Sequence, residues 1–223
     1  MEPHKLTTAV TTLVLYLLIL SPPTTAATDA NVVVDIEGNL VVPGSYYYLL
    51  PSNNGGGGLS TVPMGSTTCP TNFMLSQLNN RANLGIPVAF FPQNDNDVNQ
   101  HNTIKLSSNL KIYNKYYESP NPFMCPLVYS TFWALTGDAA TGNIYVVLDG
   151  VAVGNRLSRP DPSWFQIEND SKTTMGYKIV FRPGVSVDAN VVAGQVAVMK
   201  SGNGQGVLTL NDKDSLVVHF VKA

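Results

Sequence analysis

The chain is poor in the residues most often used for chemistry. Of its 223 residues two are cysteine, Cys69 and Cys125, and three are histidine. No two-cysteine zinc spacing exists, so a metal site has almost no ligands to draw on, and neither metal nor cofactor is expected. Charge is scarce too: Asp, Glu, Lys and Arg make up 13% of the chain, and the net charge is −2. Nothing in that balance points to nucleic acid or to an acidic membrane surface as a partner. Beyond the N-terminus no segment approaches the ~20 apolar residues that a membrane-spanning helix needs. There is no Gly-x-Ser-x-Gly nucleophile elbow for His101 or His219 to serve. The glycines of "GGGG" (55–58) and "GNGQG" (202–206) open no helix where a phosphate would bind. An enzyme is not expected.

The N-terminus carries the longest apolar run. In "MEPHKLTTAVTTLVLYLLILSPPTTAATDA", Lys5 precedes a run densest from Leu13 to Leu20, and small residues follow at Thr24 to Ala27. That order is the order of a secretory signal. Cleavage is expected after Ala26 or Ala27, leaving residues 28–223 as one domain, secreted or vacuolar, with no further membrane contact. In an oxidising compartment Cys69 and Cys125 should pair with each other, stabilising the fold by roughly 4 kcal/mol in the chain-entropy picture.

What the chain does have is a succession of short apolar or alternating runs. "NVVVDI", "SYYYLLP", "IPVAFF", "NLKIYNK", "TFWAL", "NIYVVLD", "SWFQIE", "YKIVFRP", "QVAVMK", "GVLTLN" and "SLVVHFVK" are rich in Val, Ile and aromatic residues. Gly, Asn, Asp and Ser turn clusters separate them, so the chain reads as an all-β barrel or sandwich with many hairpins. "NFMLSQLNNRANLG" comes nearest to a helix, and its Asn pair argues against a long one. "SNNGGGGLSTVP" (52–63) reads as a surface loop. Trp133 and Trp164 read as core residues, and so do Phe90, Phe91 and Pro92.

Residues 35–51, "DIEGNLVVPGSYYYLLP", resemble the opening segment of the plant Kunitz inhibitors of the soybean trypsin-inhibitor type. "CPTNFML" is similar to that family's first cysteine segment, with Cys125 in the place of its disulfide partner. "SWFQIENDSKTTMGYKIVFRP" and "GVLTLNDKDSLVVHFVKA" resemble its later strands and closing hairpin. The resemblance runs in order through residues 31–223. It implies a β-trefoil, a six-stranded barrel capped by three hairpins, and a monomer that inhibits proteases. A rigid surface loop would enter the protease cleft in substrate-like form, its entropy already lost before binding.

The resemblance places that loop at "FFPQNDNDVNQHN", where three interior-type residues give way to a polar stretch. The candidate reactive-site residues are Pro92, Gln93, Asn94, Asp95, Asn96, Asp97 and Val98. Counting forward from Pro92 sets Asn94 before the scissile bond and Asp95 after it; counting back from "SSNLKIYN" lands near Val98 or Asn99. Neither count presents the Lys or Arg that a trypsin-like pocket requires, and Asp95 and Asp97 would carry like charge into it. The expected target is a non-tryptic serine protease, or a cysteine or aspartic protease met through another loop, such as residues 113–125. Two departures from the family matter: Pro43 stands nearest to an Asn that braces the loop in relatives, and Arg182 stands at a cysteine of their second disulfide. The competing reading is a non-inhibitory trefoil, kept for storage or defence or binding another ligand such as a carbohydrate, with the loop of residues 92–102 an ordinary solvated turn. Asn169-Asp170-Ser171 is a sequon, read either as glycosylated or as unoccupied.

Overall fold

Strand alternation is written directly into burial. In β1 (Tyr46–Pro51) Tyr47 and Leu49 are buried between less buried neighbours. The same period of two runs through β5 (Leu110–Asn114), β8 (Phe165–Asn169) and β12 (Val217–Lys222), as expected of strands with one face on a core. The computed structural model describes residues 31–52, 57–63, 70–75, 82–93, 102–115, 132–138, 140–148, 164–173, 176–183, 193–200 and 206–223. The remaining strands are β2 (Leu59–Pro63), β3 (Pro70–Leu75), β4 (Val88–Pro92), β6 (Trp133–Gly137), β7 (Ile144–Leu148), β9 (Tyr177–Phe181), β10 (Gly194–Lys200) and β11 (Gly206–Asn211).

Six of these strands close a ring. β1 pairs with β4, β4 with β5, β5 with β8, β8 with β9, β9 with β12, and β12 with β1, all antiparallel. The other six form the hairpins β2–β3, β6–β7 and β10–β11. The second strands of these hairpins meet in a triangle, through Asn72↔Val147, Tyr145↔Thr209 and Val207↔Met74. Each successive set of four strands gives its first and last to the ring and its middle two to the cap. That is a β-trefoil, the fold the family resemblance implied.

The ring is filled by large side chains. Phe220 stacks on Tyr177 with centroids 5.1 Å apart and meets Phe90 edge-on at 5.3 Å; Phe165 meets Trp133 at 5.7 Å and Phe181 at 5.8 Å. Burial of each such ring stabilises the fold by about 1.5–3 kcal/mol. Two polar groups taken inside find partners: the Trp133 Nε1–H donates to Asn114 Oδ1 at 3.0 Å, and the Tyr177 hydroxyl accepts from the Val34 N–H at 2.9 Å. The hairpin strands β7 and β11 carry a smaller apolar cluster of Tyr145, Val147 and Val207, separate from the main core.

Four expectations change. The stretch 52–63 is not all loop, because Leu59–Pro63 forms β2 against β3 and Leu59 is fully buried. Gly85, at φ +76°, lets Leu59 approach so closely that any β-carbon at 85 would meet the Leu59 backbone. "NVVVDI" forms only the isolated bridges Val32↔Lys105 and Val34↔Leu40. Trp164 is half-buried on the outer wall, where Lys111 Nζ lies 5.1 Å from its ring centroid. Phe91 is exposed, because alternation turns it away from Phe90 and the core, and Pro92, at the strand's end, is half-buried.

Candidate functional site

The candidate loop leaves the barrel at the end of β4 and returns before β5, and both of its stems are fastened. On the outgoing stem Pro92 lies opposite Leu110, and the ladder continues one residue further, where the Gln93 N–H donates to the Asn109 carbonyl at 2.9 Å. Side chains reinforce that contact. Asn109 Nδ2 donates to Gln93 Oε1 at 2.9 Å, and Gln166 Nε2 donates to Asn109 Oδ1 at 2.9 Å. A three-residue amide relay therefore ties the stem to β8.

The returning stem is held by the N-terminal segment. Asn102 takes a left-handed conformation with φ 53°, which Asn tolerates better than most residues. Thr103 and Ile104 are buried. The Ile104 N–H donates to the Val41 carbonyl at 2.9 Å, its carbonyl accepts from Val33 at 3.0 Å, and Leu106 donates to Asn31 at 3.0 Å. Ser107, at φ 58°, then donates its N–H to the Ile167 carbonyl at 2.8 Å. The stretch before β1 thus braces the loop with its main chain. Pro43 lies in that stretch, half-buried, between Val42, whose N–H reaches the Tyr47 hydroxyl, and Gly44, whose N–H reaches the Phe90 carbonyl. It offers no donor of its own.

Of the residues expected from the sequence, Pro92 and Gln93 stand on the outgoing stem. Asn94, Asp95, Asn96, Asp97 and Val98 lie outside the described residues, as do Asn99, His101 and the expected disulfide partners Cys69 and Cys125. Asn169 is exposed at the end of β8, and the Asp170 N–H after it donates to the Gly176 carbonyl at 2.8 Å. Arg182 carries an exposed ion pair with Glu168 at 2.9 Å. His219 is half-buried between Val218 and Phe220, which are both fully buried. Among the described residues no group of three or more His, Cys, Asp or Glu could hold a metal ion.

Sequence reasoning missed the Gln93–Asn109–Gln166 relay and the outer aromatic wall. Phe91, Tyr113 and Phe132 meet edge-on, with centroids 6.2, 6.0 and 5.3 Å apart. Lys111 lies 6.0 Å from the Phe132 centroid as well as over Trp164. Strand alternation from Phe90 would have placed Phe91 outside; the relay leaves no sequence signal, because Asn and Gln are ordinary loop residues.

The family model for trypsin and protease inhibitors of the legume Kunitz type matches residues 33–222. The chain belongs to that family. Its members are non-enzymatic inhibitors of proteases. Among solved structures, the Kunitz protein is similar to soybean trypsin inhibitor, with 24% identity and a TM-score of 0.67, covering 86% of this chain and 100% of that one. It is also similar to a Kunitz-type trypsin inhibitor from Cicer arietinum, at 22% identity and a TM-score of 0.68, over 86% of this chain and 99% of that one. A third match is the soybean inhibitor in complex with porcine pancreatic trypsin, at 24% identity and a TM-score of 0.67, over 86% and 99% of the two chains. These likenesses carry the fold. Comparison with curated proteins finds no match.

Proposed function

We propose that this Kunitz protein inhibits an endopeptidase other than trypsin, by presenting residues 92–102 to the protease cleft as a substrate-like segment. The observation that carries the reading is the double fastening of the stems, Gln93 to Asn109 on one side and Ile104 to Val41 and Val33 on the other. A loop whose ends are fixed loses little entropy on binding, which favours tight association and slow release after cleavage. Asn94 and Asp95 flank the bond presented. Residues 93–104 hold no Lys or Arg, so an acidic primary pocket finds no partner. A serine protease with a neutral pocket fits best, with cysteine and aspartic enzymes as the other classes to test.

The protein acts as a monomer outside the cell or in the vacuole, after loss of residues 1–27, with a Cys69–Cys125 bridge and Asn169 open to glycosylation. A second reading, a trefoil that keeps the fold without inhibition, draws support from Pro43, which offers the loop no side-chain hydrogen bond. The mature oxidised protein is assayed against trypsin, chymotrypsin, subtilisin, papain and pepsin, beside a variant with residues 93–97 replaced by Gly and Ser. Inhibition that disappears in the variant supports the reading. Inhibition that survives in the variant, or none by either protein, sinks it.

A further inference from the structure

We propose that Phe91 sets specificity, by filling an apolar subsite of a serine protease four positions upstream of the bond presented; this rests on the inhibitory reading above. With Asn94 before the scissile bond, Phe91 is the fourth residue on that side, joined to it through Pro92 and Gln93. A substrate-like segment extends along a cleft for several residues, so this side chain meets the protease in its own right.

The ring is available and already in place. Phe91 is 40% exposed, whereas its neighbour Phe90 is fully buried. Tyr113 and Phe132 hold it edge-on, at interplanar angles of 88° and 74°. Behind it lies Gly44, where a β-carbon would stand 3.8 Å from Phe91 Cε1. Its main chain is fixed in the ladder opposite Lys111, two residues before the Gln93–Asn109 hydrogen bond. An aromatic ring presented this way gives contact area with little ordering still to do, which is the character of an interface anchor.

The surroundings select the partner's chemistry. Lys111 turns its ammonium onto the Phe132 and Trp164 rings, and no carboxylate lies between residues 88 and 93. The complementary subsite is therefore apolar and uncharged, wide enough for a benzyl group, beside a primary pocket that accepts Asn. Subtilisin, which takes apolar side chains at its fourth subsite, is the probe.

Inhibition constants are measured against subtilisin for the wild type, Phe91→Ala, Phe91→Gln, Phe91→Leu and the residue 93–97 replacement, with thermal unfolding of each. Phe91→Ala and Phe91→Gln are expected to weaken inhibition about 10- to 100-fold, the range of an interface anchor. Phe91→Leu, which refills the subsite, restores most of it at an unchanged melting temperature. Tyr113→Leu keeps Phe91 but removes one ring that orients it, and weakens inhibition by a smaller factor. Equal inhibition by the wild type, Phe91→Ala and Phe91→Gln, with loss in the 93–97 replacement, overturns the role of Phe91 and leaves the loop standing. Failure of the wild type to inhibit subtilisin while another enzyme of the panel is inhibited overturns the subsite alone; failure against the whole panel overturns both.

Discussion

The two faces of the β4–β5 ladder both carry aromatic rings and behave as different materials. Facing inward, Val88, Phe90, Leu110 and Ile112 are fully buried in the core with Phe220 and Tyr47. Facing outward, Phe91, Lys111 and Tyr113 pack sideways against one another and against Phe132, with one side open to solvent. The inner face holds the barrel shut; the outer face adds little to stability and keeps its apolar surface for a partner. Adjacent residues of one strand therefore serve separate ends, and either can be altered with small effect on the other.

That separation can be tested by paired substitutions. Phe90→Ala removes a core ring from inside the wall and is expected to destabilise the fold by about 3–5 kcal/mol, while the same truncation at Phe91 costs about 1 kcal/mol or less; urea unfolding compares the two directly. A Phe91→Ala loss as large as that at Phe90 would erase the distinction. Asn114→Ala, also inside, leaves the Trp133 Nε1–H without its acceptor and is expected to cost about 1–3 kcal/mol, read from the shift in the urea midpoint.

Tyr177 sharpens the comparison through pH. Burial raises its hydroxyl above the ordinary value of about 10, assisted by the Asp35 carboxylate and opposed by the Val34 N–H. The neutral form is thus favoured in the fold: its contribution is complete below about pH 10 and declines as pH rises from there towards the raised folded value. Unfolding midpoints measured from pH 8 to 11.5 should fall more steeply for the wild type than for Tyr177→Phe. The smallest effect is on the outer wall, where Glu168→Gln breaks the exposed Arg182 pair at a cost of roughly 0–1 kcal/mol, read from the same midpoints and reduced further in high salt.

Most of the strand order was legible because period-two alternation is a local property. Ten of the strands, β1 and β4 to β12, coincide with runs picked out by Val, Ile and aromatic content. β2 was hidden because "LSTVP" follows a glycine run and becomes a strand only by pairing with β3, with Leu59 drawn in over Gly85. "NVVVDI" has strand composition but lies between the returning stem of the loop and Leu40, where only single bridges form. Composition marked Phe90, Phe91 and Trp164 alike as interior residues, whereas alternation from Phe90 puts Phe91 on the outer face. The trefoil itself came from resemblance, since closure of a barrel depends on pairings between strands distant in sequence. At the candidate site, the fastening of the stems was not legible, because main-chain bonds from residues 31–42 carry no side-chain signature.

The ring has a further consequence for the chain while it is being made. β12 pairs with β1 on one side and with β9 on the other. Until Val217–Lys222 has left the ribosome, both of those strands face an open edge, and contacts so far apart in sequence form late. A nascent chain therefore carries one adhesive border at β1 from early in its synthesis and a second at β9 once Tyr177–Phe181 has been made, each exposed to any neighbouring strand. It loses both in one step, when the last strand slots into place.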